Sequence, residues 1–223
     1  MTGCLLVVAK APVAGLAKTR LARVVGDRVA AQVAAAALLD TLDSVLAVAD
    51  AVPVVAFTGR LESGERADEV GELLDRCVVI AQRGDDLGER LANAHLDVAD
   101  RFPGAPVFQI GMDTPQVRPG MLAAALARAA DGAVLGPAAD GGWWGLGLRS
   151  PRDADVLRAV PMSRGDTGMR TLLALRGAGL RVGRLPAMSD VDTWPDACLV
   201  AKQVPGSRFA AAVAEPGLVG VAR

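Results

Sequence analysis

Short uninterrupted apolar runs alternate along this chain with longer segments whose apolar positions recur every three or four residues. The short runs are Cys4–Ala9 (CLLVVA), Val52–Thr58, Cys77–Gln82, Ala105–Ile110, Gly132–Gly136 and Leu180–Leu185. Apolar runs of this length, without an alternating polar face, are the pattern of strands buried on both sides. Between them, helices are predicted from Asp27 to about Val48, over Glu65–Arg76, from Asp86 onward, over Pro119–Ala130 and over Thr167–Ala178. Leu38, Leu42, Val45 and Leu46 keep an apolar stripe at helical spacing. Asp86-Leu-Gly-Glu89 has the acid-x-x-acid form of a helix start, and Leu87, Leu91, Ala94 and Val98 carry one face onward. Trp143–Leu148 is a further apolar run after a double glycine, and Thr193-Trp-Pro-Asp196 opens a last helix with threonine as its cap.

Strands and helices in alternation predict a single α/β domain around a mostly parallel sheet, with helices on both faces. Its expected extent is residues 1–204. Proline, glycine and alanine from Pro205 onward predict a loosely attached tail over 205–223. In such sheets ligands bind beyond the carboxyl ends of the strands. The chemistry is therefore expected in the loops after Ala9, Gln82, Ile110, Gly136 and Leu185.

Composition narrows the classes. Of 223 residues, 52% are hydrophobic and 22% charged, enough apolar material for a sizeable core. Lys and Arg (24) nearly balance Asp and Glu (25), so there is none of the basic excess of a bulk nucleic-acid binder. Cys4, Cys77 and Cys198 are scattered, without a CxxC pair, and supply neither a disulfide framework nor a four-ligand zinc site. His95 is the single histidine and there is no tyrosine, which removes mechanisms that need either in number. The longest apolar stretch, Val29 to Leu39, falls short of the ~20 residues of a bilayer span. No positive charge precedes Cys4–Ala9 as in a signal peptide. A soluble cytoplasmic protein, without membrane or nucleic-acid partner, is expected.

Three loops carry charge in a pattern. Lys10-Ala-Pro-Val-Ala-Gly-Leu-Ala-Lys-Thr-Arg-Leu21 concentrates Lys10, Lys18 and Arg20, with Arg23 a turn later. A helix starting at Lys18-Thr19-Arg20 would add free backbone N–H groups, an arrangement suited to a di- or triphosphate. It is neither a P-loop nor a dinucleotide fingerprint, and a solvated basic helix start is the plainer alternative. Gly111-Met-Asp-Thr-Pro115 aims Asp113 from a strand end at a cation, unless Asp113 only caps its own turn. Asp190 and Asp192 stand at i and i+2, on one side if extended, just ahead of the last helix. Asp140-Gly-Gly-Trp-Trp144 is a fourth candidate: Gly141 and Gly142 let backbone approach a ligand, while Trp143 and Trp144 read equally as strand residues. Ser163 and Thr167 fit an acceptor anion or a loop and helix cap. His95 falls mid-helix, away from these loops.

Together these segments resemble a known family. The opening motif Lys10–Ala22, Asp86-Leu-Gly-Glu-Arg-Leu-Ala-Asn93, Ile110-Gly-Met-Asp-Thr-Pro115, Gly136-Pro-Ala-Ala-Asp-Gly-Gly142 and Asp190-Val-Asp-Thr193 occur in this order over residues 4–200. They resemble the GT-A-like transferases of unknown function called radical-SAM/selenodomain-associated or glycosyltransferase A-like proteins. That family is similar to the 2-phospholactate (or phosphoenolpyruvate) and molybdenum-cofactor guanylyltransferases. The resemblance implies a nucleotide-diphospho-sugar transferase fold and a catalytic set of Lys18, Arg20 and Asp113. Nucleotide would lie along Ala9, Lys10, Ala11, Pro12, Gly15 and Lys18, with Leu87, Gly88, Arg90 and Asn93 facing base or ribose. Mg²⁺ (or Mn²⁺) would sit on Asp113, Asp190 and Asp192. Asp140, Gly141, Gly142, Trp143 and Ser163 would line the acceptor side, where the family carries tyrosines in place of Trp143–Trp144 and a tryptophan in place of Met162. The implied reaction is transfer of a nucleotidyl group from a nucleoside triphosphate to a small anionic acceptor. Sugar transfer from a nucleotide-sugar on the same fold, and noncatalytic nucleotide binding, are the rival expectations.

Overall fold

The computed structural model describes residues 3–214. β1 (Gly3–Lys10) lies in the interior of the sheet, where its apolar side chains are buried on both faces. Leu5, Val7 and Ala9 point into one core and Cys4 and Leu6 into the other. Around it are β2 (Ala51–Thr58), β3 (Val78–Ala81), β4 (Val107–Gly111), β5 (Ala133–Pro137), β6 (Trp143–Leu148) and β7 (Val182–Arg184), in the order β3-β2-β1-β4-β6-β5-β7. β6 alone runs antiparallel, between β4 and β5; the other pairs are parallel. This puts the carboxyl ends of β1, β4, β5 and β7, and the amino end of β6, along one edge. Gly145 and Gly147 make the antiparallel insertion possible. A Cβ at Gly145 would stand 2.6 Å from the Phe108 ring, and one at Gly147 2.5 Å from Val134.

The helices are α1 (Thr19–Val25), α2 (Asp27–Leu46), α3 (Ala67–Leu74), α4 (Leu87–Arg101), α5 (Pro119–Asp131), α6 (Thr167–Gly177), α7 (Trp194–Gln203) and α8 (Arg208–Ala214). α2, α3 and α5 cover one face of the sheet through Leu38, Leu42, Val70 and Leu122. α4 and α6 cover the other through Leu91, Val98, Leu172 and Leu175. α2 is long and apolar enough to cross a membrane by length and composition, yet 72% of its apolar window is buried, as in a core helix.

The predicted elements are present with shifted ends: α3 and β7 are shorter than their apolar patterns, and β4 begins at Val107. Three elements were not foreseen, the first a single 3₁₀ turn at Leu61–Ser63. A 3₁₀ helix, Pro151–Ala159, buries Ala154 and Leu157 against α4; its polar, proline-led sequence shows no helical stripe. Of the expected loose tail from Pro205, residues Arg208–Ala214 form a helix, α8. α8 seats a fully buried Phe209 in a third core with Leu21 of α1, Val33 of α2 and Val200 of α7. Its start is held by Asp40, whose carboxylate accepts from the Phe209 amide at 2.8 Å, and by the Arg208 guanidinium against Asp40 and Asp43. Residues 215–223 of that expectation lie outside the described residues.

Candidate active site

The site assembles where the order of strands places it. β1 and β4 are neighbours in parallel, with Val8 opposite Gly111, so the basic loop after β1 and the acid loop after β4 leave the sheet side by side. Lys18 ends the basic loop in a left-handed conformation (φ 48, ψ 48). Its side chain is 11% exposed and its ammonium donates to the Asp113 carboxylate and to the Val191 carbonyl. The same ammonium is 4.0 Å from Asp192 Oδ1, while Arg20 Nη1 reaches Asp192 Oδ2 at 2.8 Å. Lys10 Nζ donates to the Leu16 carbonyl at 2.7 Å; burial, and then Lys18, lower its pKa, with Asp113 opposing. The basic and acid loops thus meet as ion pairs.

Asp113 is held from both sides. Thr114 Oγ1 donates to the Gly111 carbonyl at 3.0 Å and Thr41 Oγ1 to the Met112 carbonyl at 3.4 Å. The Gln116 amide donates to the Ser189 carbonyl, next to Asp190, and so ties the two acid loops together. Its Oε1 and His95 Nδ1 are the buried side-chain atoms without a partner among the described residues.

The second acid loop arrives from β7. Met188 pairs with Ala138 and exchanges backbone hydrogen bonds with Pro137 and Ala139 at 3.1 Å. That brings Asp190 beside Asp140, at the end of β5. One carboxylate oxygen from each of Asp140, Asp190 and Asp192 lies within 4.8 Å of the others. Burial, reinforced first by Asp140 and then by Asp192 and Asp113, pushes the Asp190 carboxyl up to about 6. Concentrated negative charge of this kind is a mark of a functional site. Asp140 is itself fixed by its loop: Gly142 N donates to Oδ1 at 2.7 Å. Gly141 (φ +88) lies where a Cβ would be 2.0 Å from the Gly165 carbonyl. The loop after Ser163 therefore packs directly on the Asp140 loop, and Ser163 is exposed at its rim.

Several expectations change with this geometry. The gathered carboxylates are Asp140, expected on the acceptor side, with Asp190 and Asp192, whereas Asp113, expected beside Asp190 and Asp192, accepts from Lys18. Trp143 points toward α6, with Nε1 3.2 Å from Thr171 Oγ1, and Trp144 is a core residue bonded to the Pro186 carbonyl. Thr167 ties its own loop, donating to the Pro161 carbonyl at 2.9 Å. On α4, Gly88 is pressed against the Leu157 carbonyl, where a Cβ would be 2.5 Å away. Arg90 Nε donates to the Gly84 carbonyl, and Asn93 bridges the Arg83 carbonyl and Arg158. Leu87 stays exposed. Sequence reading missed Gln82, whose amide donates to the carbonyls of Ala9 (2.7 Å) and Ala56 (2.9 Å) and fixes the ends of β1 and β2. A polar residue closing an apolar strand was its only signal. His95 is a core residue, with Nε2 2.9 Å from Gln109 Oε1. A groove of about 860 Å³ lies at the opposite end, between Asp100, Asp131, Asp153 and Arg181, and none of the candidate residues line it.

The fold is that of the nucleotide-diphospho-sugar transferases, of the GT-A, Rossmann-like type. A protein of Desulfovibrio desulfuricans, provisionally described as a nucleotide-diphospho-sugar transferase, is 29% identical, with 95% of this chain and 94% of that one covered at a TM-score of 0.81. A nucleotidyl transferase from Methanothermobacter thermautotroptrophicus (19% identity, 88% and 95% covered, TM-score 0.50) and a cytidylyltransferase from Leptospira borgpetersenii (11%, 96% and 92%, 0.51) share the fold. No curated protein matches. The chain belongs to the family described as "Uncharacterized protein conserved in bacteria (DUF2064)", which its residues 41–164 match.

Proposed function

We propose that the protein is a divalent-metal-dependent nucleotidyltransferase acting on a nucleoside triphosphate and a small phosphate- or carboxylate-bearing acceptor. An acceptor oxygen attacks the α-phosphorus, the bond to the α–β bridging oxygen breaks, and pyrophosphate leaves. The observation that carries this reading is the direct contact between one basic loop and two acid loops along one edge of the sheet, Lys18 on Asp113 and Arg20 on Asp192. Four carboxylates facing these two cations leave an excess of negative charge. A hard dication that takes oxygen ligands, Mg²⁺ or Mn²⁺, fits that donor set, with Asp140, Asp190 and Asp192 as its holders. Bound there, it would neutralise charge on the reacting phosphates.

The remaining work falls to the chain. Lys18 and Arg20 would bind the β- and γ-phosphates and steady the charge that develops on pyrophosphate. Asp113 would hold Lys18 in place. The Gly141–Gly142 backbone and Ser163 would border the acceptor. An ionised acceptor needs no strong protein base, in keeping with the burial of the one histidine against Gln109. Sugar transfer is the second reading, favoured by the provisional description of the Desulfovibrio relative.

One assay separates the two. The protein is incubated with Mg²⁺, a metabolite extract, and in turn each nucleoside triphosphate and each common nucleotide-sugar. Pyrophosphate released from a triphosphate is the expected result. Nucleoside diphosphate released from a nucleotide-sugar, without pyrophosphate, would replace this reading with sugar transfer. No turnover and no thermal shift with any nucleotide would remove both.

A further inference from the structure

The contacts of Lys18 and Arg20 have a consequence for how ligands bind. Both cations converge on one carboxylate: Asp192 Oδ1 faces Lys18 at 4.0 Å and Oδ2 faces Arg20 at 2.8 Å. Asp192 also belongs to the trio of gathered acids. We infer that Lys18 and Arg20 are resident counter-ions of the acid cluster, and that metal and phosphate chain exchange partners with them, so that each ligand strengthens binding of the other. This rests on the nucleotide and metal site proposed above.

The argument is one of charge left without a partner. A dication that draws Asp192 into its shell strips Arg20 of its acid and competes with Lys18. Lys18, whose side chain is 11% exposed, keeps Asp113 and the Val191 carbonyl but loses the balancing charge of Asp192 at 4.0 Å and faces the dication instead, a cost that low exposure leaves poorly screened. A phosphate chain reaching Lys18 and Arg20 supplies the missing anion. Conversely, a phosphate chain arriving alone pulls both cations from the cluster and leaves Asp113, Asp140, Asp190 and Asp192 facing one another and the phosphates. A dication removes that repulsion. The coupling is reciprocal by linkage. Lys18 carries the larger part, since the Arg20 side chain is 65% exposed and its pair is screened by solvent.

Such an exchange has a signature that structural damage cannot mimic. Removing a resident cation helps the metal and hurts the phosphate. Mn²⁺ binding without nucleotide is followed by calorimetry and by its paramagnetic resonance signal, and tripolyphosphate binding is followed in EDTA. Lys18→Met is expected to tighten Mn²⁺ about tenfold and to weaken metal-free tripolyphosphate about tenfold, within the usual range of coupling between sites. Arg20→Ala should move both in the same directions by about two- to threefold; being exposed, it gives the sign even if Lys18→Met does not fold. Mn²⁺ affinity unchanged or weakened in both variants, while Asp190→Asn abolishes Mn²⁺ binding, would overturn the exchange and leave the site standing. Mn²⁺ binding that Asp190→Asn does not touch would overturn the site and the exchange with it.

Discussion

Gly141→Ala tests whether the loop that carries Asp140 is built for the site. Gly141 has φ +88 and its absent Cβ would lie 2.0 Å from the Gly165 carbonyl oxygen and 2.6 Å from its carbon. Two costs therefore add. A left-handed backbone costs a non-glycine residue about 1–2 kcal/mol. The clash is with backbone, which cannot rotate away; at least 1 Å of movement is needed to reach ordinary contact, and overpacking of this kind costs typically 1–3 kcal/mol. Gly104 provides the control, since its φ is +80 but nothing lies within 4 Å of its would-be Cβ. Gly104→Ala should cost about 1 kcal/mol and Gly141→Ala about 3 kcal/mol. Urea unfolding followed by tryptophan fluorescence measures both. The same displacement moves Asp140, whose Oδ1 is held by the Gly142 amide at 2.7 Å. Mn²⁺ affinity should fall about tenfold, the order expected when support of a metal ligand is lost, and stay unchanged in Gly104→Ala. Equal destabilisation by the two substitutions would refute the packing argument. Full Mn²⁺ affinity in a destabilised Gly141→Ala would refute the place of Asp140 in the site.

Three further outcomes are expected. Lys18→Ala should lower nucleoside triphosphate affinity and the rate of turnover at least tenfold, whereas Arg23→Ala, exposed in the last turn of α1, should change neither by more than twofold; equal losses would mean a diffuse basic surface. Burial pushes the His95 imidazole down to about 4, with its hydrogen bond to Gln109 opposing. Since the unfolded value is higher, at about 6.5, His95 stabilises the fold fully above pH 6.5 and loses about 3 kcal/mol as pH falls toward 4; urea midpoints from pH 7 to 4.5 should fall less steeply in His95→Gln, and identical slopes would contradict this. Phe209→Ala should cost about 3–5 kcal/mol, read as a lowered unfolding midpoint; loss under 1 kcal/mol would mean that α8 is dispensable to the third core.

Much of the fold was legible because its signals are local. An apolar run such as Cys4–Ala9 can satisfy both sides only in the middle of a sheet, and the stripe Leu38–Leu42–Val45 can be buried only by a helix. The charged loops were legible for a related reason: a parallel sheet with helical crossovers sends its ligands to the strand ends, and Lys18, Asp113, Asp190 and Asp192 follow strand ends in the sequence. The capping box of Thr193 and Asp196 is local too, and it is present.

What the sequence could not determine is who meets whom. Asp113 and Asp140 are both acids in glycine-marked loops, with nothing local to say which joins Asp190. That was decided by β7 lying parallel to β5 and by the Ala138–Met188 bridge, which bring Asp140 to Asp190 and leave Asp113 to Lys18. α8 was illegible for the same reason: alanines around one phenylalanine carry no message until Asp40, 169 residues away, receives the Phe209 amide. Hydrophobic periodicity is a property of neighbours along the chain, so the sequence alone determined the elements and the loops that hold charge. The pairing of those charges depends on strand order and register, which arise only when distant elements pack, and the tertiary structure alone decided it.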